Sequence, residues 1–328
     1  MLGVHSCVLI TGGCGAIGSV VTNTLIRKYP NTRFVNLDKL TYCGKEEHIH
    51  IPYQQTNYVL YPYDITDTSH NIPNLLEKEQ PTAVIHLAAE THVDESFKYA
   101  LKFTHTNAYG THVLLEHLRE YGKCKVIIHM STDEVYGSID EGSFHETALF
   151  APSNPYSASK AAAEMICQSY IRSFQMPIII TRCNNAISPY QHPEKLIPKC
   201  IDAFLKDEKM TIHGNGSAKR TFIDARDITS ALETILLKGE KYGIYNIGTP
   251  STSHEYSVVD IVNYIHRILK PYSSFKDTIE YVEDRAFQDH RYSIDTSSLQ
   301  ALGWKPEYTV YDAIDNVIEH FKDKRFNV

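Results

Sequence analysis

The chain has 328 residues, of which 42% are hydrophobic and 22% charged, with a formal net charge of −7. This is the make-up of a globular protein with a substantial core in one or two domains, and its acidic balance disfavours a nucleic-acid or anionic-membrane surface. Seven scattered cysteines without a C-x-x-C spacing, no signal-like N-terminus and no apolar run of membrane-spanning length point away from a disulfide framework, a zinc site or a membrane span, and toward a cytoplasmic protein.

Cys7-Val8-Leu9-Ile10 is a short β-branched run that reads as a buried strand. It leads into Thr11-Gly12-Gly13-Cys14-Gly15-Ala16-Ile17-Gly18, and then into a helix to Lys28 with apolar Ile17, Val20, Val21, Leu25 and Ile26. Gly12, Gly15 and Gly18 allow a tight turn, close approach of a pyrophosphate and close packing of helix on strand. The next strand, Phe34-Val35-Asn36-Leu37, ends in Asp38, 20 positions after Gly18, where a carboxylate accepts the ribose hydroxyls of NAD and repels the extra phosphate of NADP.

The strand–helix alternation continues. Asn57 to Tyr61 is strand-like and leads to Asp64-Ile65, a pair placed to flank adenine. Ala83-Val84-Ile85-His86-Leu87 is a strand ending in Ala88-Ala89-Glu90-Thr91, where small residues let a ligand approach the backbone. A helix is predicted from about Tyr99 to Tyr121, a strand over Val126 to Met130, a helix from Tyr156 to about Phe174 and a strand at Ile178-Ile179-Ile180. This pattern predicts an α/β fold with a doubly wound parallel sheet.

Past Arg182 the pattern loosens: Asn184-Asn185, Pro189, Pro193 and Pro198 mark irregular chain, and Thr211 to Thr221 reads as a hairpin. Ala225 to Leu237 is predicted helical, Ile244 to Ile247 is a strand that returns to the main sheet, and helices lie near Ser257–Leu269 and Tyr308–Phe321. The expected division is a Rossmann domain of residues 1–183 and 221–248, with a smaller C-terminal substrate-binding domain of 184–220 and 249–328. Arg220, Arg285 and Arg291 are candidates for gripping a diphosphate with planar forks. The 17 histidines show no metal-ligand spacing, and no metal is expected.

The chemistry concentrates just past the strand ending at Met130. Tyr156 and Lys160 stand one helical turn apart on one face, and a lysine ammonium near a tyrosine favours the phenolate, which takes a proton from a hydroxyl as hydride leaves the same carbon. Thr132 offers a hydroxyl to hold that oxygen. Asp133-Glu134 directly after it has no use in an alcohol oxidation, so two acids there suggest a second reaction that moves protons.

Thr11-Gly12-x-x-Gly15-x-x-Gly18, Tyr156-x-x-x-Lys160 and Tyr245-Asn246-Ile247-Gly248 resemble the extended short-chain dehydrogenase/reductases acting on nucleotide sugars, over nearly the whole chain. Asp38-Lys39-Leu40-Thr41-Tyr42, Ala88 to Asp94, Ser131 to Gly137 and Pro193 to Pro198 look like the nucleoside-diphosphate-glucose 4,6-dehydratases. Asp133 discriminates most: epimerases of that superfamily lack the acid pair, and the UDP-glucuronate decarboxylases usually keep only the glutamate.

The resemblance implies tightly bound NAD and a catalytic set of Thr132, Asp133, Glu134, Tyr156 and Lys160. In it Tyr156 takes the 4-hydroxyl proton, Glu134 the hydrogen on carbon 5, and Asp133 protonates the departing 6-hydroxyl. It places Gly12, Gly15, Ile17, Gly18, Asp38, Thr41, Asp64, Ile65, Leu87, Ala88, Ala89, Thr106, Tyr156, Lys160 and Asn185 around NAD. Around the nucleotide sugar it places Thr91, Thr132, Asn184, Lys195, Leu196, His213, Arg220, Asn246, Arg285 and Asp289. Asp284 to Tyr292 departs from the thymidine-type D-R-P-G-H-D-R-R-Y and is more similar to the dehydratase domain of plant rhamnose synthases, which implies UDP-glucose; dTDP-glucose is the alternative, and a 4-epimerase or decarboxylase the more distant one. Ala186-Ile187-Ser188-Pro189 departs where the family usually has an aromatic residue and a glycine. The resemblance further implies a homodimer packed through the two long helices, with Leu101, Leu114, Leu115, Leu118, Ala162, Met165 and Ile166 as candidates for the contact or for covering the sheet, and a separate epimerase or reductase downstream.

Overall fold

The computed structural model describes residues 5–249, 255–283 and 291–326, with side chains to 323. In chain order the elements are β1 (Cys7–Thr11), α1 (Ala16–Lys28), β2 (Arg33–Leu37), β3 (Tyr58–Tyr61), α2 (Asn71–Glu79), β4 (Ala83–His86), α3 (Val93–Lys98), α4 (Ala100–Phe103), α5 (Gly110–Tyr121), β5 (Val126–Thr132), α6 (Pro155–Phe174) and β6 (Ile178–Cys183). There follow β7 (Asn185–Ile187), α7 (Leu196–Leu205), β8 (Met210–His213), β9 (Lys219–Asp224), α8 (Ala225–Lys238), β10 (Ile244–Ile247), β11 (Glu255–Ser257), α9 (Val258–Leu269), β12 (Ile279–Val282), α10 (Ser297–Ala301) and α11 (Val310–Phe326).

Seven strands form a parallel sheet in the order β10-β6-β5-β4-β1-β2-β3. The central strands are mostly apolar or β-branched because both faces are covered, with His129 in β5 and Arg182 in β6 as buried polar exceptions. Val8, Ile10, Ile85 and Ile128 pack under α1 and α8, while Leu9, Val84, Ile127 and Ile180 face α2, α5 and α6. Burying each such side chain stabilises the fold by roughly 1.5–3 kcal/mol. The strand order reverses between β1 and β4, and a doubly wound sheet opens a crevice at such a point, beyond the carboxyl ends of its strands.

A second core, built on Ile201, Phe204, Ile212, Ile261, Ile265 and Ile314, joins α7, α9 and α11 to two small sheets, β11-β9-β7 and β12-β8. Here the expected hairpin over Thr211 to Thr221 does not form. β8 pairs in parallel with β12, while β9 pairs with β7 and β11, so the strands flanking the Gly214–Gly216 turn go to different sheets. The segment around Pro193 and Pro198 is not wholly irregular either. Pro198 sits in the first turn of α7, where its missing N–H has no helical partner to lose.

The single helix expected from Tyr99 to Tyr121 is interrupted by a π-helical turn, Thr104–Tyr109, between α4 and α5. Asn107 in that turn accepts from the Glu90 N–H at 2.8 Å and donates to the Glu90 carbonyl at 3.0 Å and to Ser159 Oγ at 2.8 Å. The wide turn thus clamps the β4 exit to α6. Of the apolar residues proposed for a dimer contact, Leu114, Leu115 and Leu118 are buried against the sheet, whereas Leu101 is 86% and Met165 47% exposed. All seven cysteines are free, and five are buried.

Candidate active site

One cleft runs along the carboxyl edge of the large sheet. Its near end is the glycine loop. Gly12 has a φ of 70°, and a Cβ on it would come within 2.7 Å of the Ala88 backbone. A Cβ on Gly18 would come within 2.0 Å of the Gly12 carbonyl, so only glycine lets α1 seat on the loop. Gly15, the N-cap of this 13-residue helix, offers no side-chain cap, which leaves the first N–H groups of α1 free at the cleft wall. Free backbone donors with the positive end of a helix dipole suit a diphosphate.

Asp38, buried at the end of β2, accepts from the Cys14 N–H and the Leu40 N–H, both at 2.9 Å, and its carboxylate keeps lone pairs for a further donor. Asp64 is paired with Lys39 at 3.2 Å. Ile17, Thr41, Ile65, Leu87, Ala88, Ala89, Thr106 and Asn185 line the same cleft. The uncapped helix, the glycine seat and the carboxylate together fit a dinucleotide. The same cleft continues from the glycine loop to Thr132, Asp133 and Glu134 past the end of β5.

At the far end β5 stops at Thr132, whose hydroxyl accepts from the Glu134 N–H at 3.3 Å and caps a short 3₁₀ turn, Asp133–Tyr136. The cap puts both acids at the cleft. Asp133 is 2% exposed; it accepts from Asn184 Nδ2 at 2.7 Å and from the Thr132 hydroxyl at 3.2 Å. Burial nevertheless pushes its carboxyl up to about 6. Glu134 accepts from Asn154 Nδ2 at 3.0 Å, and burial together with the neighbouring Asp133 charge pushes it up to about 7. Two acids poised near neutrality and side by side are equipped to give and take protons.

Tyr156 and Lys160 project from α6 into this end of the cleft. Burial and the Glu134 and Asp133 charges raise the Tyr156 phenol, while Thr132 is the hydrogen-bonding neighbour that opposes the rise. Lys160 Nζ donates to the Met130 carbonyl at 2.7 Å, and burial brings its ammonium down to about 8.

Thr91, Asn184 and Lys195 also face the cleft, Lys195 donating to the Thr91 carbonyl at 2.9 Å. Four expected sugar-side residues are placed otherwise. Asn246 is fully buried, accepting from the Tyr136 hydroxyl and donating to the carbonyls of Phe144 and Asp295, so no polar group of its side chain is left for a ligand. His213 is exposed and meets the Glu283 carbonyl. Leu196 opens α7 and packs on the second core. Arg220 stacks 5.1 Å over Tyr292, off the cleft wall, though its charge favours ionised Asp133 and Glu134. Arg291, proposed for a diphosphate, is paired with Glu255 at 2.6 Å. Arg285, Asp289 and the Phe287–His290 segment lie outside the described residues.

Two functional positions were missed. Asn154 holds Glu134 and caps α6 through a box with Ser157; the Asn154-Pro155 pair ahead of Tyr156 is the N-cap signal that points to it. Ser188, in the departure from the family pattern, is fully buried and donates to the Ala16 carbonyl at 2.7 Å, tying the β7 exit to the first turn of α1.

Comparison with known proteins matches residues 9–317 to the family described as GDP-mannose 4,6 dehydratase. The dTDP-D-glucose 4,6-dehydratase of Mus musculus is 41% identical over 323 residues, covering 98% of this chain and 90% of that protein. A trifunctional UDP-glucose 4,6-dehydratase/epimerase/reductase of Arabidopsis thaliana is 43% identical over 302 residues, covering 90% of this chain but 44% of the plant protein. The crystal structure of a dTDP-glucose 4,6-dehydratase from Streptomyces venezuelae, solved with NAD bound, superposes with a TM-score of 0.89 at 32% identity over 98% of each chain.

Proposed function

The chain belongs to the GDP-mannose 4,6 dehydratase family, and from that premise we propose that it dehydrates UDP-glucose to UDP-4-keto-6-deoxyglucose. It is a nucleotide-sugar 4,6-dehydratase that works with NAD. The observation that carries the reading is the pair of raised carboxyls, Asp133 and Glu134, in one cleft with Tyr156 and a dinucleotide cradle.

NAD, when bound, would supply reversible hydride acceptance between carbon 4 and carbon 6 of the sugar, and Gly12, Gly15, Gly18 and Asp38 would hold its diphosphate and ribose. Tyr156 takes the proton of the 4-hydroxyl, whose oxygen the Thr132 hydroxyl holds. The ketone acidifies the hydrogen on carbon 5, and Glu134 removes it. Asp133 protonates the 6-hydroxyl as it departs, and Glu134 hands its proton back to carbon 5. Each such positioned group contributes about 10²–10⁴-fold. Thr91, from the Rossmann part, binds the nucleotide sugar together with Asn184 and Lys195 of a substrate-binding part made of residues 184–220 and 249–328. The protein works as a homodimer, and its 4-keto product passes to epimerase and reductase activities of the kind named in the plant relative.

UDP is favoured because Phe287-Gln288-Asp289-His290 resembles the segment of the plant UDP-type enzymes. A methyl group, the difference between uracil and thymine, is worth only about 1–3 kcal/mol, so discrimination is partial. A side-by-side assay of UDP-glucose and dTDP-glucose, following the 4-keto product, tests it. A clearly higher kcat/KM for dTDP-glucose overturns the nucleotide; product from neither sugar overturns the dehydratase reading.

A further inference from the structure

His86 has no part in the steps given above, yet it is buried and both of its ring nitrogens are engaged. It closes β4, with the His129 ring 5.2 Å away. Its Nδ1 lies 2.6 Å from the Thr11 hydroxyl and its Nε2 3.0 Å from the Thr111 hydroxyl on α5. Thr111 gives its one hydroxyl proton to the Asn107 carbonyl at 2.6 Å, so toward His86 it can only accept. Nε2 therefore carries the ring proton. Burial and the Lys160 charge keep the ring neutral, pushing it down to about 3, which leaves Nδ1 to accept from Thr11.

Each partner leads to one half of the chemistry. Thr11 directly precedes Gly12. Its hydroxyl also accepts from the Ala88 N–H at 3.3 Å, and its carbonyl from the Leu87 N–H at 3.1 Å, so the glycine loop is seated on the β4 exit. On the other side, Asn107 donates to Ser159 Oγ at 2.8 Å, and Ser159 donates to the Tyr156 carbonyl at 2.6 Å. A chain of hydrogen bonds passing through His86 thus joins the dinucleotide cradle to the backbone of the catalytic tyrosine. On the dehydratase reading, on which this inference rests, hydride and proton leave the same carbon. The cradle and the phenol must then keep one separation, and a misplacement of about 1 Å costs up to about 10²-fold in rate.

We propose that His86 is a positioning residue: its ring, accepting from Thr11 and donating to Thr111, holds the NAD cradle and the Tyr156 helix at a fixed separation.

Two substitutions divide the ring between its neighbours. In His86→Gln the amide nitrogen stands near the Nε2 position and keeps the donor to Thr111; in His86→Asn the amide oxygen stands near Nδ1 and keeps the acceptor for Thr11. Two rates are read on the NAD-loaded enzyme: exchange of bound NAD for labelled NAD, and product formation in a single turnover with enzyme in excess over sugar. His86→Gln should speed NAD exchange about tenfold, the scale of one lost hydrogen bond, and slow the single turnover far less. His86→Asn should slow the single turnover about tenfold and change NAD exchange far less. Thr11→Val and Thr111→Val leave the histidine in place and should reproduce the glutamine and asparagine patterns respectively; they take over should a His86 variant not fold. The ¹⁵N spectrum of the wild-type holoenzyme, with the His86 signals assigned by their loss in His86→Gln, should show the ring proton on Nε2. A histidine that only fills the sheet moves both rates together, so parallel changes in every variant, no change in any, or a ring proton on Nδ1 overturns the proposal. Failure of the dehydratase reading is separate: there the wild-type protein forms no product from either sugar, and NAD exchange in the same variants still decides for or against His86.

Discussion

Asn184 Nδ2 lies 2.7 Å from Asp133 Oδ2, while the carbonyl oxygen of the same amide is buried with no hydrogen-bond partner. The donor favours ionised Asp133 and so works against burial, which raises it to about 6. Glu134 is raised to about 7. Catalysis needs Asp133 protonated and Glu134 ionised, so the two limbs follow from the sign of each shift. Activity falls as pH drops and Glu134 gains its proton; it falls as pH rises and Asp133 loses its own. The pair shares one proton in the working state, with kcat/KM greatest between about pH 6 and 7. Asn184→Ala removes the opposing donor, so Asp133 keeps its proton longer and the alkaline limb moves up. A pH profile of both proteins checks this, and an alkaline limb unmoved in the variant counts against it.

Separating the two acids by substitution separates the steps. Glu134→Gln keeps the size of the side chain and removes the base, so elimination stops while oxidation at carbon 4 proceeds. NADH absorbance should then build up on the enzyme in a single turnover. Tyr156→Phe should abolish even that signal. Normal turnover by Glu134→Gln would show that another group removes the hydrogen on carbon 5.

Arg182 and Glu164 form an ion pair at 2.9 Å with both side chains essentially inaccessible. The guanidinium lies 4.8 Å from the centres of both the Tyr136 and Phe150 rings and donates to the Tyr136 hydroxyl at 2.7 Å. Removing one partner leaves a buried charge unpaired, at a cost of about 3–5 kcal/mol. Arg182→Met is expected to lower the urea midpoint accordingly, and the double variant Arg182→Met/Glu164→Leu to recover part of the loss. Equal midpoints for the single variant and wild type would mean that the pair contributes nothing net.

Leu101 and Met165 are the exposed apolar residues among those proposed for a dimer contact. Sedimentation at micromolar concentration should show a dimer, and Leu101→Glu together with Met165→Glu should shift it to monomer without unfolding the chain, since neither residue belongs to the core. Monomer alone in the wild type removes the homodimer.

Much of the fold is legible in the residues because its signals are local. Glycines at 12, 15 and 18 between a β-branched run and an amphipathic one mark the loop, and the large sheet follows from strands that are apolar on both faces. What escapes is non-local. β8 finds its partner in β12, nearly seventy residues on, so a Gly-Asn-Gly turn next to it looks like a hairpin. Prolines near α7 mask a helix start. At the site, the Tyr156–Lys160 spacing shows that both side chains share a helix face, but not that Lys160 turns to the Met130 carbonyl, because backbone acceptors from another strand leave no mark in the spacing. Asn246 fails for the same reason: its partners come from residues 136, 144 and 295.

The seven thiols have a practical consequence. Burial raises every one of them, Cys7, Cys14 and Cys124 to about 12 and Cys43, Cys167, Cys183 and Cys200 upward as well, so at neutral pH the folded chain holds almost no thiolate. An unfolded chain exposes all of them at ordinary acidity. An alkylating reagent therefore counts unfolded molecules: the number of adducts per chain separates local opening, which labels a few sites, from global unfolding, which labels all, and the protein carries its own clock for both.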